Sequence, residues 1–302
     1  MIDIDACVVC GGTDFLTITD RGMHFNGEKV AECRNCGMVF LSPRMTLTEL
    51  DIFYSQNQFS KEFRGSAAPN ETIMAAREER ALKKMTLIEK YLEYLPVGPV
   101  LEIGCSSGYL LRNLRDKGYQ VYGIDPSDGF VQYARDNYKL DVVSGMYPDA
   151  MPAEWGKHFA MIIALHVLEH TDDPAYILGS IFEMLAKDGL LALELPDIHR
   201  AVSVRKYLHQ DYFQKSHIWD FSASTIKILL EKCGFEVYVC DNYSNDPPDD
   251  KNVLLIAGNP NSKLTVLEKS NGCQKEFAEK LYRNLKYKLL LGRAVNFLRG
   301  FQ

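Results

Sequence analysis

The chain has 302 residues, 46% of them hydrophobic and 25% charged, with a net charge of −6. Such a chain suits a soluble globular protein built on one large domain with small additions, and its charge argues against a protein that coats nucleic acid. No apolar run is long enough to span a bilayer, and the acidic opening Met1-Ile2-Asp3-Ile4-Asp5 is unlike a secretory leader, so the expected location is the cytoplasm.

Residues 1–45 carry the first chemical signal. Cys7-Val8-Val9-Cys10-Gly11 and Cys33-Arg34-Asn35-Cys36-Gly37 are two C-x-x-C-G knuckles separated by 22 residues, 11–32. The glycine after each second cysteine allows a tight turn, so the thiolates of a knuckle converge. Four thiolates in a tetrahedron suit Zn²⁺ bound at about 2.3 Å and leave no open position, which predicts a structural ion. Redox dithiols do not normally come as two glycine-flanked pairs outside a βαβ unit. Strands are expected over Phe15–Thr19, 29–32 and 38–41. A segment this short buries little core, so the metal would supply folding energy directly. Cys105, Cys233, Cys240 and Cys273 are scattered, as free thiols usually are.

Residues 46–98 read as a helical lid or linker. A short helix is expected over 46–54 and a loop or lid over 56–69. A long helix then begins at Asn70, a good N-cap, with Met74, Ala81, Met85, Ile88, Leu92 and Leu95 recurring on one face. Pro96-Val97-Gly98-Pro99 stops it, and its apolar stripe is expected to pack on the following domain.

Residues 99–260 alternate strands with helices. Strands are expected at Val100–Ile103, 121–124, Asp141–Ser144, Phe159–Leu165, 190–195, 236–240 and 252–257. Helices are expected up to Lys117 and over 130–138, 174–186 and 225–233. The alternation predicts an α/β fold, a doubly wound and mostly parallel sheet covered on both faces. Ligands bind such sheets beyond the carboxyl ends of the strands, which places Gly104–Gly108, Asp125, 144–147 and His166–His170 on one rim.

The rim residues narrow the ligand. There is no phosphate-binding loop of the G-x-x-x-x-G-K-[ST] type. The third glycine of a dinucleotide fingerprint falls on Tyr109, far too large for close helix–strand packing, and Glu102 would face a pyrophosphate. Glu102 calls instead for a cationic ligand end, while Asp125 suits two free ribose hydroxyls. A ligand with a cationic end, a free ribose and no phosphates describes S-adenosylmethionine.

Together, Glu102-x-Gly104-x-x-x-Gly108, Gly123-Ile124-Asp125-Pro126 and His166-Val167-Leu168-Glu169-His170 resemble a class I SAM-dependent methyltransferase over about residues 99–240. Lys187-Asp188-Gly189 resembles the turn before that family's fifth strand. The resemblance implies a seven-stranded sheet with its last strand antiparallel, and a cofactor site of Glu102, Gly104, Cys105, Ser106, Gly108, Asp125, Pro126, Met146 and His166. Met146 stands where members often carry an acid, and is expected to pack on the adenine ring. With the four-cysteine ribbon attached, the whole chain resembles zinc-ribbon methyltransferases akin to the sugar C-methyltransferases and to enzymes of glycan and natural-product clusters.

Transfer to a hydroxyl requires a proton acceptor, and His217, His166 and His170 are the candidates, His217 first. His217 lies in an aromatic segment with Tyr207, Tyr212, Phe213, Trp219 and Phe221, a wall suited to a sugar or ring. His166-x-x-Glu169-His170 also matches an inverted zinc-protease motif, but that motif needs a helix and this one leaves a strand. The sugar C-methyltransferases carry Tyr-x-Glu-His where this chain has Gln214, Lys215, Ser216 and His217, so the expected reaction is O-methylation of a sugar, glycan or similar polar molecule. The alternatives are sugar C-methylation, RNA methylation using the ribbon, and a non-catalytic SAM-binding scaffold. Nucleic acid is disfavoured because Arg21, Lys29 and Arg34 of the ribbon are matched by Asp14, Asp20, Glu28 and Glu32. Residues 261–302 are expected to form a basic helical tail, with Phe277, Leu281, Leu285 and Leu289 on one stripe, open to self-association or to an acidic partner or membrane surface.

Overall fold

The computed structural model describes residues 1–56, 58–66, 69–199, 212–245 and 250–260. Tyr207 and the basic C-terminal tail lie outside the described residues.

The sheet grows from β4 (Val100–Ile103), every residue of which is buried. It runs parallel to β5 (Val121–Asp125) on one side and to β7 (Phe159–Leu165) on the other. β6 (Asp141–Ser144) extends the first side; β8 (Leu185–Pro196), β11 (Asp250–Gly258) and β10 (Glu236–Asn245) extend the second. The seven-stranded order is β10-β11-β8-β7-β4-β5-β6, with β11 antiparallel to both neighbours, so the expected mostly parallel sheet with one reversed strand is the fold observed.

Side chains alternate across the sheet, as the pleat demands. Leu101, Ile103, Ile162, Ala164, Leu191 and Leu193 face one layer, with α6 (Pro174–Met184) and α7 (Ala223–Lys232) against them. Val100, Met161, Ile163, Leu190 and Ala192 face the other, covered by α3 (Glu71–Ile88), α4 (Tyr109–Asp116) and α5 (Asp128–Tyr138). The Met74, Ala81, Met85 and Ile88 stripe of α3 packs there as its spacing predicts, and the Asn70 side chain caps the helix by accepting from the Ile73 N–H at 3.0 Å.

Three local differences have physical causes. Residues 56–69 contain a helix, α2 (Gln58–Arg64), whose Phe59 packs on Phe53 and Tyr54 of α1 (Leu47–Ser55) with ring centroids 6.1 and 5.2 Å apart. One turn of aromatic contact leaves no readable period. The Lys187-Asp188-Gly189 turn is a bulge inside β8, because the pairing jumps from Phe159↔Leu185 to Met161↔Leu190. Cys240 is disulfide-bonded rather than free, a pairing that no cysteine spacing announces.

The N-terminal ribbon shares its sheet with the rest of the chain. β1 (Phe15–Thr19), β2 (Val30–Cys33) and β3 (Val39–Leu41) are joined by β9 (Trp219–Asp220), with Phe40 opposite Trp219. Cys7, Val9, Cys33 and Phe40 belong to the same apolar layer as Leu101 and Leu193, so residue 45 marks no break in the core. Phe40 is fully buried between Phe15 and Trp219, with centroids 5.0 and 6.0 Å away. We predict that Phe40→Ala destabilises the protein by about 3–5 kcal/mol in urea unfolding, while Phe15→Ala, on the half-buried edge strand, costs clearly less.

Candidate active site

A cleft of about 820 Å³ opens beyond the carboxyl ends of β4, β5 and β7. Its floor is the turn between β4 and α4, where Gly104, Ser106 and Gly108 all have positive φ, of 78°, 49° and 72°. A side chain at Gly104 would strike Val167 Cγ2 at 2.6 Å, so only glycine brings these two loops together. Ser106 is held in its unfavourable conformation by a backbone N–H donated to Asp125 Oδ2 at 2.9 Å. Asp125 Oδ1 accepts the Ser127 N–H at 2.8 Å, so each oxygen carries one backbone bond and keeps capacity for another.

Of the expected cofactor-site residues, Glu102, Gly104, Cys105, Ser106, Asp125, Pro126, Met146 and His166 all line this cleft. Gly108 does not. It precedes α4 as its N-cap, and a side chain there would meet Leu140 Cδ1 at 2.5 Å and Ala134 Cβ at 3.1 Å, so packing against the α5 side requires this glycine. Cys105 reaches the cleft mainly through its backbone, since its Sγ lies within 2.8 Å of where a side chain on Gly123 would begin. Burial, with Asp125 and Glu102 nearby, pushes its thiol up. Burial, with Asp125 adding repulsion, also pushes Glu102 well above the usual carboxylate range, and its Oε2 has no hydrogen-bond partner among the described residues. Such a group is completed by a cation.

A second set of charges underlies the cleft. Glu194, fully buried in β8, receives Lys84 Nζ of α3, the Asn252 amide at 2.6 Å and the His166 ring at 3.2 Å, all on Oε1. The other ring nitrogen of His166 faces Glu169 Oε1 at 3.2 Å. Burial favours the neutral ring, but the two carboxylates outweigh it and raise His166 to about 9. With both ring nitrogens protonated, His166 donates to both acids. Burial likewise favours neutral acids, yet His166 holds Glu169 and Glu194 down to about 2.

The far wall brings together two histidines remote in sequence. Three bonds tie the turn after β7 to the segment before β9: Ile218 N–H to the Glu169 carbonyl at 2.9 Å, His170 Nδ1 to the Ser216 carbonyl at 2.7 Å, and Trp219 Nε1 to the Thr171 carbonyl at 2.8 Å. His170 and His217 thereby meet edge to face, with ring centroids 4.7 Å apart, and both line the cleft. Burial, with His170 adding repulsion, lowers His217 to about 3, so its ring is neutral. Tyr54 and Phe59 of the first two helices roof His170 at 6.2 and 5.4 Å. Lys215 pairs with Glu62 at 2.9 Å and lies over the Phe53 ring. Phe213, Trp219 and Phe221 of the expected aromatic wall are instead buried core residues: Trp219 pairs with Phe40 of β3, Phe221 joins the same apolar layer, and Phe213 packs with Val30, Val39 and Leu41.

Cys7, Cys10, Cys33 and Cys36 also converge, their sulfurs all within 4.8 Å of one another. The Cys7–Cys36 and Cys10–Cys33 separations are 3.6 and 3.5 Å, close to the roughly 3.8 Å between thiolates around a tetrahedral ion bound at about 2.3 Å.

Comparison with known proteins fits this geometry. The family model described as "Methyltransferase domain" matches residues 75–239, more than half of the chain. The chain belongs to the methyltransferase-domain family. Similar curated proteins include a tRNA U34 carboxymethyltransferase of Idiomarina loihiensis, 28% identical over 192 residues, covering 60% of this chain and 59% of that protein. Another is the C-methyltransferase NovU of Streptomyces niveus, 24% identical over 258 residues, covering 78% and 56%. The chain thus spans less than two thirds of the length of these relatives. Among solved structures, magnesium protoporphyrin IX methyltransferase from Synechocystis PCC 6803 with bound SAH superposes with a TM-score of 0.53 at 17% identity, covering 71% of this chain and all of that one, a likeness of fold.

In this methyltransferase domain the sequence reading missed α3 as a wall of the site: Arg77, Arg80 and Lys84 line the cleft. The available signal was Glu194, an acid inside an apolar strand that demands a buried cation. We predict that Lys84→Met, which removes that cation, costs about 3–5 kcal/mol in chemical denaturation, whereas a Lys84→Met, Glu194→Leu pair recovers much of the loss.

Proposed function

We propose that this protein is a SAM-dependent methyltransferase that methylates a hydroxyl of a sugar, glycan or similar polar small molecule. The observation that carries this reading is that one cleft is lined both by Glu102 and Asp125 and by the His170–His217 pair. Glu102, buried and incompletely bonded, suits the cationic methionine end of the cofactor, and Asp125 has acceptor capacity left for ribose hydroxyls. Met146 lines the cleft where an adenine ring would pack. S-adenosylmethionine supplies a methyl group already activated on a sulfonium centre.

The protein's own work is then alignment and proton removal. His170 gives Nδ1–H to the Ser216 carbonyl, which leaves its lone pair on Nε2. His217 stands against it, and a carboxylate oxygen of Glu169 lies within 4.8 Å of ligand nitrogens of both rings, close enough to support a proton arriving on either. His217 is our assignment for the base, with His170 beside it. His166 is not suited to that task, since two carboxylates keep it protonated; it positions Glu169. The place that sugar C-methyltransferases give to glutamate holds Ser216, fully buried and turned from the cleft, which favours transfer to oxygen over carbon.

The same reading gives the four cysteines a structural Zn²⁺. The four reduced thiolates and the cofactor favour the cytoplasm as the proposed location, whereas the disulfide at Cys240 counts against a reducing compartment. One zinc per chain is expected by metal analysis. Its removal by chelator should loosen the β1-β2-β3-β9 sheet and, through Trp219, lower turnover; a zinc-free protein with unchanged stability would sink the assignment.

The deciding experiment is a methyl-transfer assay over nucleotide sugars, glycans and total RNA, read by mass shift. Product on a sugar hydroxyl supports the reading, product on RNA favours the tRNA-modifying relatives, and cofactor binding without any product leaves a scaffold. With the acceptor in hand, His217→Ala should keep cofactor affinity and lose roughly 10²–10⁴-fold in turnover. Asp125→Ala should weaken the cofactor first.

A further inference from the structure

We propose that Glu169, His170 and His217 form a second metal site, which takes a divalent first-row transition ion such as Zn²⁺, Co²⁺ or Ni²⁺. One ligand atom from each lies within 4.8 Å of the other two. Ligands bound at about 2.1 Å in a tetrahedron stand about 3.4 Å apart, so side-chain shifts of about 1 Å close the set.

Three separate features point to a ligand here. Glu169 is 1% exposed, and its Oε2 has no hydrogen-bond partner among the described residues, although Oε1 faces His166. A buried carboxylate oxygen without a donor costs free energy that an ion would return. His170 already makes the outer bond typical of a metal-bound histidine, with Nδ1–H donated to a backbone carbonyl, which aims the Nε2 lone pair. The His217 ring makes no hydrogen bond among the described residues, only its edge contact with His170.

The donor chemistry sets this site apart from the cysteine centre. Two imidazoles and a carboxylate suit zinc, cobalt, nickel or iron, and three protein ligands leave at least one position open. Both histidines line the cleft, so the open position faces the space where the acceptor would lie. His166, bonded to Glu169, is the outer partner that orients the carboxylate.

A functional consequence rests on the reading proposed above. The lone pairs that would hold the ion are those assigned to the acceptor proton, so ion and proton compete, and metal occupancy inhibits transfer. No bond to the ion is needed for catalysis.

The test uses the full chain with its cysteine centre zinc-loaded, titrated with Co²⁺ alone. The expected result is one further equivalent with visible d–d absorption and no thiolate charge-transfer band. His170→Ala and His217→Ala should each weaken this binding by about 100-fold or more, while near-ultraviolet circular dichroism shows that both variants stay folded, and Asp125→Ala should leave it intact. No equivalent beyond the cysteine centre, or binding indifferent to both histidine variants, overturns the site. Full turnover with the site saturated overturns the competition. Metal binding in a protein that methylates no acceptor would defeat the transferase reading and leave the site standing; turnover without metal binding would do the reverse.

Discussion

A buried carboxylate organises the centre of this molecule. Glu194 has no solvent contact, and an unpaired charge in such a place costs several kcal/mol. Lys84, His166 and Asn252 all converge on one of its oxygens, and they come from α3, the turn after β7, and β11. Elements far apart in sequence are therefore held in one register by the need to satisfy a single acid. The same convergence keeps His166 protonated and in its left-handed conformation, with φ of 56°, and lets it reach Glu169 with its other nitrogen. The His170–His217 pair depends on this chain of bonds, because Glu169 in turn anchors Ile218 through its backbone carbonyl.

The cysteine ribbon acts on the same wall from the opposite side. Phe40 of β3 lies opposite Trp219 of β9, two residues after His217, and the Trp219 indole donates to the Thr171 carbonyl, one residue after His170. A shift of β3 is thus transmitted toward both histidines through the β3–β9 pairing and the Trp219 indole bond. This makes the ribbon a brace for the site rather than an appended module, and it explains why Cys7 and Cys33 share an apolar layer with the central strands.

What could be read from the sequence followed local pattern. Val100–Ile103 and Phe159–Leu165 were legible to the residue, because largely apolar runs ended by turn residues define buried strands, and Asp141–Ser144 was legible as a short strand around Val142-Val143. Glu102 was legible as an acid in need of a cation, and it does line the cleft with an unpartnered oxygen. The same logic applied to Glu194 would have found Lys84, but its partner lies 110 residues away and nothing local marks it. β9 was not legible at all: two residues carry no period, and their pairing with β3 is set by tertiary contact. Gly108 shows a related ambiguity. A positive φ at a turn looks the same whether the space is kept for a ligand or for Leu140.

The three buried glutamates around the cleft differ in how fully the protein itself satisfies them, and that difference sorts structure from chemistry. Glu194 is met by an ammonium, an imidazolium and an amide, all on Oε1; its Oε2, like those of Glu169 and Glu102, has no hydrogen-bond partner among the described residues, and it is the two cations that complete its charge. Glu169 is met by His166 on one oxygen only. Glu102 has Asp125 nearby, a repulsion, and among the described residues no cation is bonded to it. Folding alone would select against the last two, since replacing either with an apolar residue of similar volume removes a desolvation cost. The presence of both is what positive charge arriving from outside would account for. In the proposed reading it comes to Glu102 with the cofactor, and to Glu169 as a proton on a neighbouring histidine or as an ion held between the two rings.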